Sequence, residues 1–196
     1  MRVLVGCEES GVVRDEFLGR GHDAWSNDVV PARNGGPHLQ MDVCDAIKFH
    51  GPWDLIILHP PCTALCVSGN RTYGWGKHKH HERLTSIYWT VALWHLATSK
   101  APKVILENPV GVIWKHIGQP QYIQPWMFGH METKKTGLLL HNLEPLKPTN
   151  NVFLQMTQLP KAQRNRIHYM SPGPNRARDR STTYPGVAQA IGAQYG

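Results

Sequence analysis

The sequence is short of acid, of cysteine and of long apolar runs, and each shortage narrows what the chain can do. Fourteen Asp and Glu face twenty-one Lys and Arg in 196 residues, a formal charge of +7 with twelve histidines besides. That balance points to an anionic partner, of which nucleic acid is the commonest. No apolar run approaches the roughly 20 residues of a membrane span, so no membrane is expected as a partner. The opening "MRVLVGCEESG" turns acidic too soon for a secretory signal, and the expected compartment is the cytoplasm. Thiols stay reduced there, so Cys7, Cys44, Cys62 and Cys66 are read as packed, metal-bound or reactive. "CTALC" has zinc-ligand spacing, but a second clean Cys/His pair is lacking beside "HKHHE", and no metal is expected. The dinucleotide fingerprint GxGxxG is also missing. There is no internal repeat and no low-complexity tail.

What is present is alternation. "RVLVG", "HDAWSND", "HLQMDV", "DLIIL", "KVILEN" and "GLLL" read as strands. The continuous apolar runs among them suit strands buried on both faces. "VVRDEFLGRG", "RLTSIYWTVALWHLATSK" and "GVAQAIGAQYG" read as helices. The expected fold is α/β, a mostly parallel central sheet flanked by helices. One domain spans residues 1–196, and a small irregular basic lobe is expected at 145–185.

Ligands of such sheets bind beyond the carboxyl ends of the strands, and those ends carry chemistry here. "GCEESG" follows the first strand; its small residues Gly6, Ser10 and Gly11 suit either a close ligand or a tight turn. Asp28 and Asp42 end the next two strands, either to accept hydrogen bonds from a ligand or to cap the following helices. "HPPC" follows "DLIIL". Pro60 and Pro61 stiffen a loop that projects Cys62 past the sheet edge, where a thiolate would be a nucleophile. "ENP" follows "KVIL". Burial would raise the pKa of Glu107 and let it act as an acid towards a heterocycle nitrogen. Asn108 would hold the loop, and Pro109 suits the first position of a helix running through "GVIWKHI".

These motifs, in this order, resemble the DNA cytosine carbon-5 methyltransferases, from residue 1 to about 140. "FGHMETKKTGLLL" and "STTYPGVAQAIGAQYG" look like compact phage-borne members. The resemblance implies a Rossmann-like S-adenosylmethionine-dependent methyltransferase fold, double-stranded DNA as partner, and a bacterial or phage-infected cell as setting. Cys62 would attack carbon 6 of a flipped cytosine, with Glu107 at ring nitrogen 3, and carbon 5 would take the methyl group. The first turn (Gly6, Cys7, Glu8, Ser10 and Gly11), Asp28, Asp42 and Pro61 would hold the cofactor. Asn108 joins the substrate side. The stretch 69–84, with Arg71, Lys77 and Lys79, falls where the family has a mobile loop that closes over DNA.

The chain also departs from that family. His59 stands where Gly is usual before PPC, and Pro109 where Val is usual after Glu-Asn. "ETKKTG" replaces the Gln-x-Arg-x-Arg motif, so Lys134 or Lys135 is expected in place of its arginine, as a point charge rather than a planar fork. "TTYPG" stands for the usual Gly-Asn. The large target-recognition region is missing. Arg164, Arg166, Arg176, Arg178 and Arg180 occupy the small lobe in its place, which implies phosphate contacts, short or relaxed sequence specificity and strong salt dependence. Modification of RNA cytosine, transfer of another group, and a non-catalytic DNA-binding role are the alternatives. Monomer and homodimer both remain open.

Overall fold

A computed structural model describes residues 1–174 and 176–196, with the backbone alone at residue 177. The strands are β1 (Arg2–Gly6), β2 (Asp23–Asp28), β3 (His38–Gln40), β4 (Leu55–Leu58), β5 (Lys103–Pro109), β6 (Gln121–Ile123) and β7 (Thr136–His141). The helices are α1 (Val12–Leu18), α2 (Val43–Phe49), α3 (Asn70–Tyr73), α4 (His80–Lys100), α5 (Trp114–Ile117), α6 (Phe153–Thr157), α7 (Lys161–Arg164), α8 (Arg166–Tyr169), α9 (Arg176–Ser181) and α10 (Pro185–Tyr195). None is long and apolar enough to cross a membrane.

The sheet has the order β3-β2-β1-β4-β5-β7-β6. The first five strands are parallel; β7 runs antiparallel to both β5 and β6. Alternate residues divide between two cores. Val3, Val5, Leu55 and Ile57 pack under α1 and α10, with Phe17, Val187 and Ile191. Leu4, Ile56 and Leu58 pack under α2 and α4, with Ile47, Ile87 and Leu93. All four residues of β4 are fully buried, as its unbroken apolar run requires. Each contributes about 1.5–3 kcal/mol by leaving water, so the strand that carries Cys62 at its end is among the most firmly held.

Two local expectations change. Pro109 does not open a helix: it pairs with Thr136 as the last residue of β5, and helical structure begins at Trp114. Proline is tolerated at a strand end because few ladder bonds are lost there. Residues 145–185 are not wholly irregular, since four short helices, α6 to α9, fall within them.

Candidate functional site

The chain leaves β1 in one direction across the sheet and returns to β4 on its other side, so their carboxyl ends meet at the point where strand order reverses. Crevices form at such points. A cleft of about 360 Å³ opens here, lined by the first turn from Cys7 to Ser10, Asp28, Arg33, His59 to Cys62, Glu107, Lys134 and residues 180–183.

Cys62 reaches the cleft on a braced loop. Asn108, fully buried, donates from Nδ2 to the Pro60 carbonyl at 3.0 Å. Val67 N–H donates to Val110 O, and Val112 N–H to Leu65 O, at 3.0 and 2.9 Å. These bonds lock the loop after β4 to the loop after β5. A Cβ on Gly111 would collide with the Leu65 carbonyl, so only glycine permits this approach. The Cys62 carbonyl accepts from Cys66 N–H at 2.9 Å, a helical turn that brings the two thiols together. Hydrogen bonding to Cys66, burial and the Glu107 charge all push the Cys62 thiol up, against the pull of Lys134. The buried Cys66 also contacts Ser68 Oγ at 3.0 Å. Among the described residues, no three His, Cys, Asp or Glu side chains are grouped to hold a metal.

Glu107 corrects an expectation. Burial does push its carboxyl up, but the hydrogen bond and charge of His59, with Lys134 behind them, outweigh it and leave Glu107 below the ordinary carboxylate value. The bond joins His59 Nδ1 to Glu107 Oε2 at 3.1 Å, with side chains only 11% and 20% exposed. A residue from the end of β4 thereby reverses the effect expected from the environment of β5 alone. Lys134 lines the cleft beside Glu107 and lies 5.9 Å from the Tyr184 ring. Lys135 is directed elsewhere, 4.3 Å above Tyr122.

The other half of the cleft is acidic. Glu8 accepts from Val13 N–H at 2.9 Å and from Ser10 Oγ at 3.0 Å. It therefore occupies the amino end of α1, where a phosphate would otherwise sit. Glu9 pairs with Arg33, whose guanidinium also donates to Thr182 Oγ1 at 3.1 Å and ties the first turn to the end of α9. Asp28 lines the same wall. Glu8 and Glu9 are thus engaged within the protein, which leaves Asp28 as the acid of this wall open to a ligand's hydroxyls. Other predicted cofactor residues also have structural roles. Gly6 is required by packing, because a Cβ would lie 2.7 Å from Val43 and 3.0 Å from Leu58. Gly11 takes a left-handed conformation (φ 73°) at the start of α1. Asp42 caps α2, accepting from Cys44 N–H at 2.8 Å. Cys7 is pushed up to about 12 by burial and by Asp28 and Asp42.

The stretch 69–84 is not a plain loop: it holds α3 and the start of α4. Arg83, almost buried, donates to the carbonyls of Ala64 (2.7 Å) and Cys66 (3.4 Å) and to Asn70 Oδ1 (2.9 Å). It anchors the segment from which Arg71, Lys77 and the 88%-exposed Trp75 project. Lys79 pairs with Glu82 at 3.1 Å. Of the lobe arginines, Arg166 is bound to Glu132 at 3.0 Å and Arg176 to the Met170 carbonyl at 2.8 Å. Arg178 lies 3.7 Å from Asp179, Arg164 is half-buried, and Arg180 lines the cleft. Arg33 and Thr182 were not singled out by sequence, and Arg83 stood out there only as one charge of the basic stretch 69–84. Charged residues near strand ends were the one available signal, and it does not say which will pair.

No family model matches the sequence, and no curated protein matches it. Among solved structures, the chain is similar to the crystal structure of a candidate DNA modification methyltransferase encoded within a prophage of E. coli. The TM-score is 0.53 and the identity 15%, covering 82% of this chain and 56% of that one. The chain thus spans little more than half the length of that relative. At such identity the likeness speaks for the backbone. The chain has an α/β fold like that methyltransferase's, a mostly parallel seven-stranded sheet flanked by helices.

Proposed function

We propose that the protein is an S-adenosylmethionine-dependent DNA methyltransferase that modifies carbon 5 of a flipped cytosine. The observation that carries this reading is the meeting of Cys62, Glu107 and Lys134 in one cleft with the acid-lined first turn. The fold likeness to a candidate DNA modification methyltransferase points the same way.

Asp28 and the first turn fit a cofactor carrying ribose hydroxyls, and Pro61 lines the same cleft. Bound S-adenosylmethionine would supply an electrophilic methyl group. Cys62 gives its proton to water and its sulfur bonds to carbon 6 of the cytosine, which makes carbon 5 nucleophilic. Glu107 lies at ring nitrogen 3, takes up a proton from water and supplies it there as electron density arrives. Lys134 offsets the charge that develops and favours the thiolate form of Cys62. Once carbon 5 carries the methyl group, water takes the carbon 5 proton, the Cys62–carbon 6 bond breaks, ring nitrogen 3 returns its proton to Glu107 and the thiolate is released. Flipping the base costs a few kcal/mol, offset by phosphate contacts from Arg71, Lys77, Arg164 and Arg178. Residues 1–196 act as one catalytic domain. The lobe at 145–185 stands in for a target-recognition domain and confers short or relaxed specificity.

The test is transfer of tritium from labelled S-adenosylmethionine to duplex DNA by wild type and by Cys62→Ala. Cys62-dependent label at cytosine carbon 5, with a stable adduct on DNA containing 5-fluorocytosine, is expected. Absence of Cys62-dependent label on DNA overturns the proposal, and label on RNA alone redirects it to RNA.

A further inference from the structure

His59 stands in the loop between β4 and Cys62, and no step above uses it. Its ring is wedged between the open cleft and a small inner cavity of about 30 Å³ that Glu107, Lys134 and Tyr184 also line. Two observations show how it is used. Nδ1 lies 3.1 Å from Glu107 Oε2; because a carboxylate can only accept, Nδ1 carries the hydrogen. Nε2 is buried with no hydrogen-bond partner among the described residues. A buried ring nitrogen left unsatisfied carries a cost, and that cost is sustained to place the other nitrogen on Glu107. The His59 backbone is itself held, its N–H donating to Gly6 O at 3.0 Å.

We propose that His59 is the positioning residue for Glu107: its Nδ1–H holds one carboxylate oxygen, leaves the other to the substrate base, and makes base capture depend on uptake of one proton. The inference rests on the reading of Glu107 as the partner of ring nitrogen 3. The charged and titratable groups facing the pair are Lys134, Cys62 and Tyr184. In the open cleft Glu107 is a carboxylate. Cytosine nitrogen 3 bears no hydrogen, so carboxylate and base repel until a proton from water joins the free oxygen. That proton then lies between Glu107 and nitrogen 3, passes to the ring as Cys62 bonds to carbon 6, and returns when that bond breaks. The Nδ1–H stays on His59 throughout. Above the pH at which the proton can be taken up, capture fails.

Three proteins test this: wild type, His59→Ala and His59→Asn, whose amide nitrogen falls at the position of Nδ1. The first readout is the titration of the Glu107 carboxyl carbon by NMR in the protein without DNA, with its signal assigned by Glu107→Gln. The second is the pH profile of single-turnover methylation. In His59→Ala the carboxyl should titrate at higher pH and the alkaline limb should move up with it. The rate at the optimum should fall about 10- to 100-fold from lost alignment, with cofactor affinity unchanged. His59→Asn should restore both the titration and the limb. An unmoved Glu107 titration in His59→Ala overturns the inference, as does an equal response of the Ala and Asn variants, which marks a purely steric role. If the titration moves as expected but wild type methylates no DNA, the pair stands and the cytosine reading falls.

Discussion

The bond from Asn108 to the Pro60 carbonyl joins residues 48 apart in sequence and is buried, so its loss can be followed through to rate. Asn108→Ala leaves the Pro60 carbonyl unpaired, at a cost of about 1–3 kcal/mol. Part of that is recovered, because Asn108 Oδ1 is itself buried without a partner and disappears with the side chain. The net loss of stability should be about 1–2 kcal/mol, and for a chain of this length Tm should fall by about 2–8 °C. The effect on rate should be larger. Pro60 lies two residues before Cys62, and a displacement of about 1 Å at a reacting group costs about 100-fold. Asn108→Asp should be worse than Ala, since it sets an acceptor against an acceptor in a buried place. The assays are a thermal melt, S-adenosylmethionine binding by calorimetry, and single-turnover methylation well below the Tm of each variant. If the rate falls only a few-fold while Tm falls as expected, the bond supports the fold and does not aim Cys62. If cofactor affinity falls as steeply as rate, the damage is general and the reasoning fails.

Further outcomes follow from the same geometry. Arg83→Met strands the carbonyls of Ala64 and Cys66, so it should lower Tm by more than Arg71→Met and open residues 67–79 to proteolysis; equal melts would refute the anchoring role. Glu107 sits below the ordinary carboxylate value of 4.5, so the stability it contributes is complete above that pH and is lost as pH falls through its lowered value. The acid-induced loss should therefore shrink in His59→Ala, as read by denaturant titration from pH 7 to pH 3. Each phosphate contact removed, as in Lys77→Ala, should lower the slope of log affinity against log salt by about 0.9 on duplex DNA, and an unchanged slope would take Lys77 off the interface.

Much of the architecture was legible along the chain because it depends on local pattern. The apolar run of "DLIIL" is typical of a strand buried on both faces, and β4 is fully buried. The uninterrupted stretch ending in "HLATSK" became α4. Strand ends could be counted, so Cys62 and Glu107 could be assigned to one rim before any contact was known. What tertiary structure decided is which groups meet there and what they do to each other. Glu107 titrates low rather than high because His59, 48 residues away, donates to it. Glu8 caps α1 and is not a free acid. Lys134 lines the cleft while Lys135 covers Tyr122. Pro109 ends β5 because Thr136 lies opposite on β7. Strand period and apolar content are properties of neighbours in sequence, whereas hydrogen bonds and charge pairs between loops belong to neighbours in space. Composition does not choose among several acids and bases crowded at one rim; the register and order of the sheet do.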